Sequence, residues 1–141
     1  MAFDFDTDLL FGEQLELEVV EKFNGKHKLR KIEGYHKEYD LICDDCGVTI
    51  ECKNDRYESG NMAFELPMLT QSTADILIYR VMGKTYWGRL EDIRYWLRLG
   101  HKLGLLKLRK MGENGNKGYV VPIDDTRIFM TELWRVNGKE S

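Results

Sequence analysis

Asp40, Glu51 and Lys53 are the residues whose types and spacing read most directly as chemistry. Glu51 and Lys53 stand two apart in the β-favouring run Val48-Thr49-Ile50-Glu51-Cys52-Lys53, and a strand sends such a pair out of one face. Cys52 then points the opposite way, into the core, in company with Val48 and Ile50. The other face is expected to run from a water-facing Thr49 into Glu51 and Lys53. Residues 38–43 form a second β-favouring run, joined to the first by Asp44-Asp45-Cys46-Gly47. That linker reads as a hairpin turn, which would return Asp40 beside Glu51. Two carboxylates and a lysine on one face are what phosphodiester hydrolysis requires. The carboxylates would hold one or two divalent ions, which polarise the phosphate and neutralise charge on the leaving oxygen. Oxygen-only ligands select hard ions, Mg²⁺ first and Mn²⁺ as its substitute. The backbone carbonyl of Cys52 can complete the coordination. Lys53 would orient or help to deprotonate the attacking water, or stabilise charge in the transition state. An acid and a base two apart are also common on ordinary solvated strands, so the triplet alone leaves both readings open.

The pattern Asp40-x10-Glu51-Cys52-Lys53 resembles the split active-site motif of the PD-(D/E)XK nuclease superfamily. Tyr39 stands where the usual proline precedes the aspartate, a departure that many members show. The runs from Lys53-Asn54-Asp55 to Asn61-Met62-Ala63-Phe64-Glu65, and from Thr70-Gln71 to Ala74-Asp75, are similar to stretches of small phage and prophage nucleases of that superfamily, the resolvase-like kind. Pro67-Met68-Leu69 replaces the glycine-containing loop often found there. The resemblance implies an α/β (α+β) fold with a central mixed β-sheet flanked by helices, a restriction-endonuclease-like core, and a single nuclease domain over residues 1–141. It also implies a glutamate on the first helix that assists metal binding. Glu16 fits that position best and Glu13 is the runner-up, with Glu18 and Glu21 as solvated charges. A glutamine after the lysine lines the site in related enzymes, and Gln71 is the candidate; a structural role for Gln71 or Asn61 is equally open.

The implied catalytic set is therefore Asp40, Glu51, Lys53, Glu16 and Gln71, with Asp40, Glu51, Cys52 and Glu16 as metal ligands. The implied activity is a Mg²⁺-dependent endonuclease on DNA, structure-selective or weakly specific and junction-resolvase-like. A homodimer would place two sites on two strands. The alternative is a catalytically idle DNA-binding or accessory module on the same fold, against which the complete Asp-Glu-Lys set argues.

The totals agree with such a frame. A chain of 141 residues suits one domain, and 43% hydrophobic with 32% charged residues suits a packed core under a solvated surface. No apolar run approaches the ~20 residues of a membrane span, and the acidic start lacks the features of a signal peptide. The expected place is the cytoplasm, that of a host if the chain is phage-encoded, with no membrane partner and no organic cofactor. Cys43, Cys46 and Cys52 fit a reducing compartment. Cys43-x-x-Cys46 raises zinc, which needs four ligands, but Cys52, His27, His36 and His101 fall at no matching spacing, so free thiols are expected. The net charge of −3 argues mildly against binding nucleic acid through bulk charge. Position matters more. Lys26, Lys28, Arg30 and Lys31 cluster early, and Arg89, Arg94, Arg98, Lys102, Lys107, Arg109 and Lys110 load the second half.

The elements that must position these residues follow from periodicity. A first helix should begin at an N-cap near Asp6 or Asp8, carry Leu9, Leu10, Leu17, Val20 and Phe23, and end at Asn24-Gly25. Residues 27–33 suggest a short strand and residues 54–61 a loop. Residues 74–81 read as a buried strand with 84–88 as its hairpin partner. Residues 90–99 form an amphipathic helix with Ile93, Trp96 and Leu97 inside and Gly100 at its end. Arg89, Arg94, Arg98 and Lys102 would make part of its surface cationic. Tyr86, Trp87, Tyr95 and Trp96 are available to stack on bases, with a core role favoured for the tryptophans. Lys107 to Lys110 form a basic edge leading to the loop 112–118, which either rides over a substrate or is a hairpin tip. A late strand is expected over 118–123. Asp124-Asp125-Thr126 then caps an expected last helix containing Phe129, Leu133 and Trp134.

Overall fold

The computed structural model describes residues 5–23, 25–34, 38–111 and 115–135, with side chains from residue 11 onward. In chain order the elements are α1 (Phe5–Lys22), β1 (Leu29–Lys31), β2 (Leu41–Cys43), β3 (Thr49–Asp55), β4 (Asn61–Glu65), α2 (Leu66–Gln71), β5 (Ile76–Val81), β6 (Lys84–Arg89), α3 (Leu90–Lys102), β7 (Arg109–Met111), β8 (Asn116–Pro122), a 3-10 turn (Ile123–Ile128) and β9 (Thr131–Arg135). A six-stranded sheet runs β1-β2-β3-β5-β6-β9, and a three-stranded sheet runs β4-β8-β7. β3 and β5 are parallel while the other neighbours are antiparallel, so the large sheet is mixed. The α+β class with a central mixed sheet flanked by helices is as the sequence predicts.

β3 divides the molecule because its residues alternate between two apolar layers. Ile50 and Cys52 join Leu15 and Val19 of α1, Leu41, Ile78 and Trp134 on one face. On the other face Leu77 and Tyr79 of β5, which pair with Glu51 and Lys53, pack with Met62 and Phe64 of β4, Tyr119 and Val121 of β8, and Leu90, Ile93 and Leu97 of α3. Leu15 and Val19 are spaced to share a helix face, as are Leu90, Ile93 and Leu97. A parallel pair cannot be joined by a tight turn, and here β4 and α2 form the crossover from β3 to β5. The β5–β6 hairpin turns on Met82 (φ 51°) and Gly83 (φ 76°), the left-handed pair that matches strand twist in a two-residue loop.

Several expectations are corrected. The predicted last helix is a 3-10 turn followed by β9. The Thr126 carbonyl accepts both Phe129 N–H (2.9 Å) and Met130 N–H (2.7 Å), closing the turn. The chain then pairs with β6, setting Trp134 opposite Thr85 with only 6% of its surface exposed. An open sheet edge beside a Thr/Leu/Trp segment outweighs helix propensity. β3 runs on to Asp55, and the supposed loop gives way at Asn61 to β4, which lies against β8. The sequence gives no expectation of most of β4 or of α2, whereas the antiparallel pairing of β7 with β8 agrees with the hairpin reading of the late loop. Thr49, expected to face water, is 9% exposed and bonded through N–H and Oγ1 to Asp75 Oδ2 (3.0 and 3.2 Å). Asp6 and Asp8 lie within α1, which already begins at Phe5. Asn24, His36 and residues 112–114 of the late loop lie outside the described residues. Among the described residues no helix is long and apolar enough to cross a membrane.

Candidate active site

Asp40 enters immediately before β2, and its backbone is tied on both sides. Its N–H donates to the Ile50 carbonyl (2.9 Å), and its own carbonyl accepts the Ile32 N–H (2.8 Å). Ile50 has Leu41 as its register partner, so the ladder goes out of step at Asp40. There the side chain takes over: Asp40 Oδ2 accepts the Cys52 N–H at 2.8 Å. N–H and C=O of one strand residue point to the same side. The Cys52 carbonyl therefore faces the same margin of β3 as the Asp40 carboxylate, beyond the last rung of β2. Glu51 lies between Ile50 and Cys52, the two β3 residues to which Asp40 is bonded. The structure thus holds Asp40, which is 9% exposed, against the segment of β3 that carries the half-buried Glu51 and the Cys52 backbone. The Cys52 side chain packs in the α1 layer, as expected.

Lys53 leaves the same face of β3 as Glu51. Its ammonium donates to the Ala63 carbonyl at 3.2 Å, lies 3.8 Å from Glu65 Oε1 and sits 5.8 Å from the centre of the Tyr79 ring. Tyr79 is locked in turn, donating to Asp55 Oδ2 (2.6 Å) and accepting the Ala63 N–H (2.8 Å). Burial pushes its phenol well above the usual tyrosine range, so it stays a donor. The sequence reading did not count Glu65 among the site residues, although it closes the family-like run that begins at Lys53. The sequence assigns no element to residues 62–65, so the face that Glu65 occupies on β4 carries no local signal.

Glu16 is 5% exposed. It meets Lys31, whose ammonium is 3.9 Å from Glu16 Oε2 and 2.9 Å from Glu13 Oε1. Burial disfavours the Lys31 ammonium, but its hydrogen bond to Glu13 and the charges of Glu16 and Glu13 outweigh it, so the Lys31 pKa is raised. Lys31 pairs with Leu41, hence lies on the α1 side of the sheet. Glu16 and the runner-up Glu13 therefore share one cation at the margin that leads to Asp40. Glu18 is no solvated charge: it is held by Arg80 Nη2 and Trp134 Nε1, both at 2.6 Å. Gln71 closes α2, exposed to solvent. The next residues are anchored beside Asp40, since Ser72 Oγ donates to the Glu38 carbonyl (3.0 Å) and Thr73 Oγ1 to Glu38 Oε2 (3.0 Å). Among the described residues, the one group of three histidine, cysteine or acidic side chains with all ligand atoms within 4.8 Å is elsewhere, at His27, Cys43 and Cys46.

The basic residues divide. Arg94 is structural, donating to the Leu69 (2.6 Å) and Ser72 (2.5 Å) carbonyls and so fastening α3 to the end of α2. Arg89, Arg98, Lys102, Lys107, Arg109 and Lys110 are exposed. In the small sheet Glu65 pairs with Gly118, and Gly118 with Arg109. A cationic strand edge thus lies about 10 Å, two strand spacings, from the glutamate that meets Lys53. Gly118 permits that packing, because a Cβ there would fall 2.4 Å from the Phe64 carbonyl. Tyr95 is exposed and stacks edge-on against Trp96, while Trp87 packs against the α1-side core.

No family model matches the chain, and no curated protein matches it. Among solved structures it is similar to D212, a nuclease from a fusselovirus, at 15% identity over 88% of this chain and 87% of that one, with a TM-score of 0.40. Likeness of that degree carries none of the reading that follows.

Proposed function

We propose that the chain is a metal-dependent nuclease of the PD-(D/E)XK type, acting on DNA through Asp40, Glu51 and Lys53. The observation that carries this reading is the margin of β3. There the Asp40 carboxylate is fixed on the Cys52 N–H, one residue along β3 from Glu51, and Lys53 emerges from the same face as Glu51, beside Glu65. The donor set of Asp40, Glu51, the Cys52 carbonyl and Glu16 is all oxygen and fits a hard ion, Mg²⁺ or Mn²⁺ in its place. When bound, such an ion supplies Lewis-acid stabilisation of charge on the phosphate. Asp40 is oriented before anything binds, because the strand backbone sets its carboxylate. Lys53 is carried by Ala63 and Glu65 into a fixed position, from which it orients the attacking water and offsets charge on the phosphoryl oxygens. Gln71 lines the site from the end of α2.

The exposed Arg109 and Lys110, in line with Glu65 across the small sheet, suit a phosphate backbone that passes the site. Such contacts carry no base sequence, which favours a structure-selective or weakly specific endonuclease, resolvase-like and paired as a homodimer to reach two strands. The test is cleavage of supercoiled plasmid, single strands and a synthetic four-way junction by the native protein and Lys53→Ala, each with Mg²⁺, Mn²⁺ or EDTA. Metal-dependent cutting that falls by at least about a hundredfold in Lys53→Ala is expected. DNA binding with no cutting would transfer the reading to an accessory module. Neither binding nor cutting would remove it.

A further inference from the structure

His27 joins the Cys43-x-x-Cys46 pair although no local spacing in the sequence links it to them. Their ligand atoms, one ring nitrogen and two sulfurs, all lie within 4.8 Å of one another. Each is placed by backbone bonds that do not depend on a ligand. Cys43 ends β2, with its N–H on the Val48 carbonyl and its carbonyl on the Gly47 N–H, both 2.8 Å. Gly47 takes the positive φ of 77° that closes this turn. Cys46 follows in the turn, and its own N–H points at Cys43 Sγ across 3.4 Å. Such an N–H offsets negative charge on a sulfur. His27 arrives from the turn after α1, where its N–H donates to the Phe23 carbonyl (3.0 Å) and its ring meets the Phe23 ring edge-on at 6.0 Å. The two turns are tied directly by Asp44 N–H on the Lys28 carbonyl (2.9 Å).

The surroundings are equally specific. All three side chains line the mouth of a cavity of about 290 Å³, walled by Phe23, Leu29, Val48 and Ile50 among others. Cys43 is buried, while His27 and Cys46 are exposed at the rim. A pair of thiols and an imidazole form a soft donor set. It differs in kind from the oxygen set of Asp40 and Glu51, and it selects Zn²⁺ over Mg²⁺.

We propose that His27, Cys43 and Cys46 bind one zinc ion, with water in the fourth position. The ion joins the turn that follows α1 to the turn between β2 and β3, and thereby fixes the helix that carries Glu16 against the hairpin that carries Asp40 and Glu51. Because a zinc ligand set binds the folded chain and not the unfolded one, metal raises stability by mass action.

The experiment titrates Co²⁺ and then Zn²⁺ into reduced, EDTA-dialysed protein, following thiolate-to-cobalt charge-transfer absorption and the thermal midpoint. His27→Ala, Cys46→Ser and Asp40→Asn are titrated alongside. Both His27 and Cys46 are exposed, so these variants should keep the fold, which circular dichroism of the metal-free forms verifies. The expected result is stoichiometric uptake with thiolate bands and a higher midpoint. His27→Ala and Cys46→Ser should each weaken the uptake reported by the thiolate bands by more than the roughly 10–100-fold that loss of an outer partner costs, while Asp40→Asn leaves those bands unchanged. No thiolate bands in the reduced native protein, or bands of native affinity in both variants, would overturn the assignment.

Discussion

Asp40 carries two duties at once, since the carboxylate proposed to hold metal is also the acceptor for the Cys52 N–H. The two can be separated by substitution. Asp40→Asn keeps an oxygen for that N–H and removes the charge, so its thermal midpoint should stay close to the native one while nuclease activity falls by at least about a hundredfold. Asp40→Ala leaves a buried donor without its acceptor, which costs about 1–3 kcal/mol, and should melt measurably earlier. Equal melting of the two variants would show that the hydrogen bond does not set the carboxylate. The sequence made Asp40, Glu51 and Lys53 legible because strand alternation is a local rule and the Asp/Gly turn between them is a local signal. Glu65 was written in the same run but needed β4 to acquire a direction. His27 was not legible at all: it reaches the Cys43-x-x-Cys46 turn through the docking of two separate loops, and no periodicity records that.

Between elements, the Glu18 carboxylate ties α1 to the β5 and β9 strands of the large sheet, with Arg80 of β5 and Trp134 of β9 converging on one oxygen. The Arg80 hydrogen bond holds the Glu18 carboxyl below its ordinary 4.5, against the opposing effect of burial and with help from Trp134. A depressed folded-state pKa stabilises the protein above the ordinary value, and that contribution is lost as pH falls through the folded one. Glu18→Gln should therefore cost about 1–2 kcal/mol at neutral pH, the pair being partly solvated. The difference from the native protein should shrink in urea melts taken below pH 4.5. A constant difference across that range would mean that packing, and not charge, is what the substitution removes. The elements themselves were readable wherever turn chemistry bounds them, as at Gly47 and Met82-Gly83. β9 reads as helix and most of β4 as no element for one reason: each is a strand because another strand offers it an edge, β6 and β8 respectively. Trp134, read as helical, gains its position from Glu18 and Phe23, partners more than a hundred residues upstream.

Across the whole molecule, the two apolar layers are not independent, because they are the two sides of the same strands. Leu77 and Tyr79 belong to the layer under the small sheet, and Ile78 between them belongs to the layer under α1. Tyr79 further binds the two sheets together, since its hydroxyl joins Asp55 of β3 to the Ala63 N–H of β4. Melting either layer would strip one face from β5, and the parallel β3–β5 pairing would then expose apolar side chains that no local contact replaces. We therefore propose that the described residues unfold as one cooperative unit in spite of having two sheets. The expectation is a single unfolding transition, with tryptophan fluorescence, which reports chiefly Trp87 and Trp134 on the α1 side, and near-ultraviolet tyrosine signals, which report Tyr79, Tyr86 and Tyr119 on the other, superimposing with far-ultraviolet dichroism. Separate midpoints for the tryptophan and tyrosine probes would divide the chain into two units. The proposed nuclease site would then stand at the boundary between them, because Lys53 on β3 reaches Glu65 on β4.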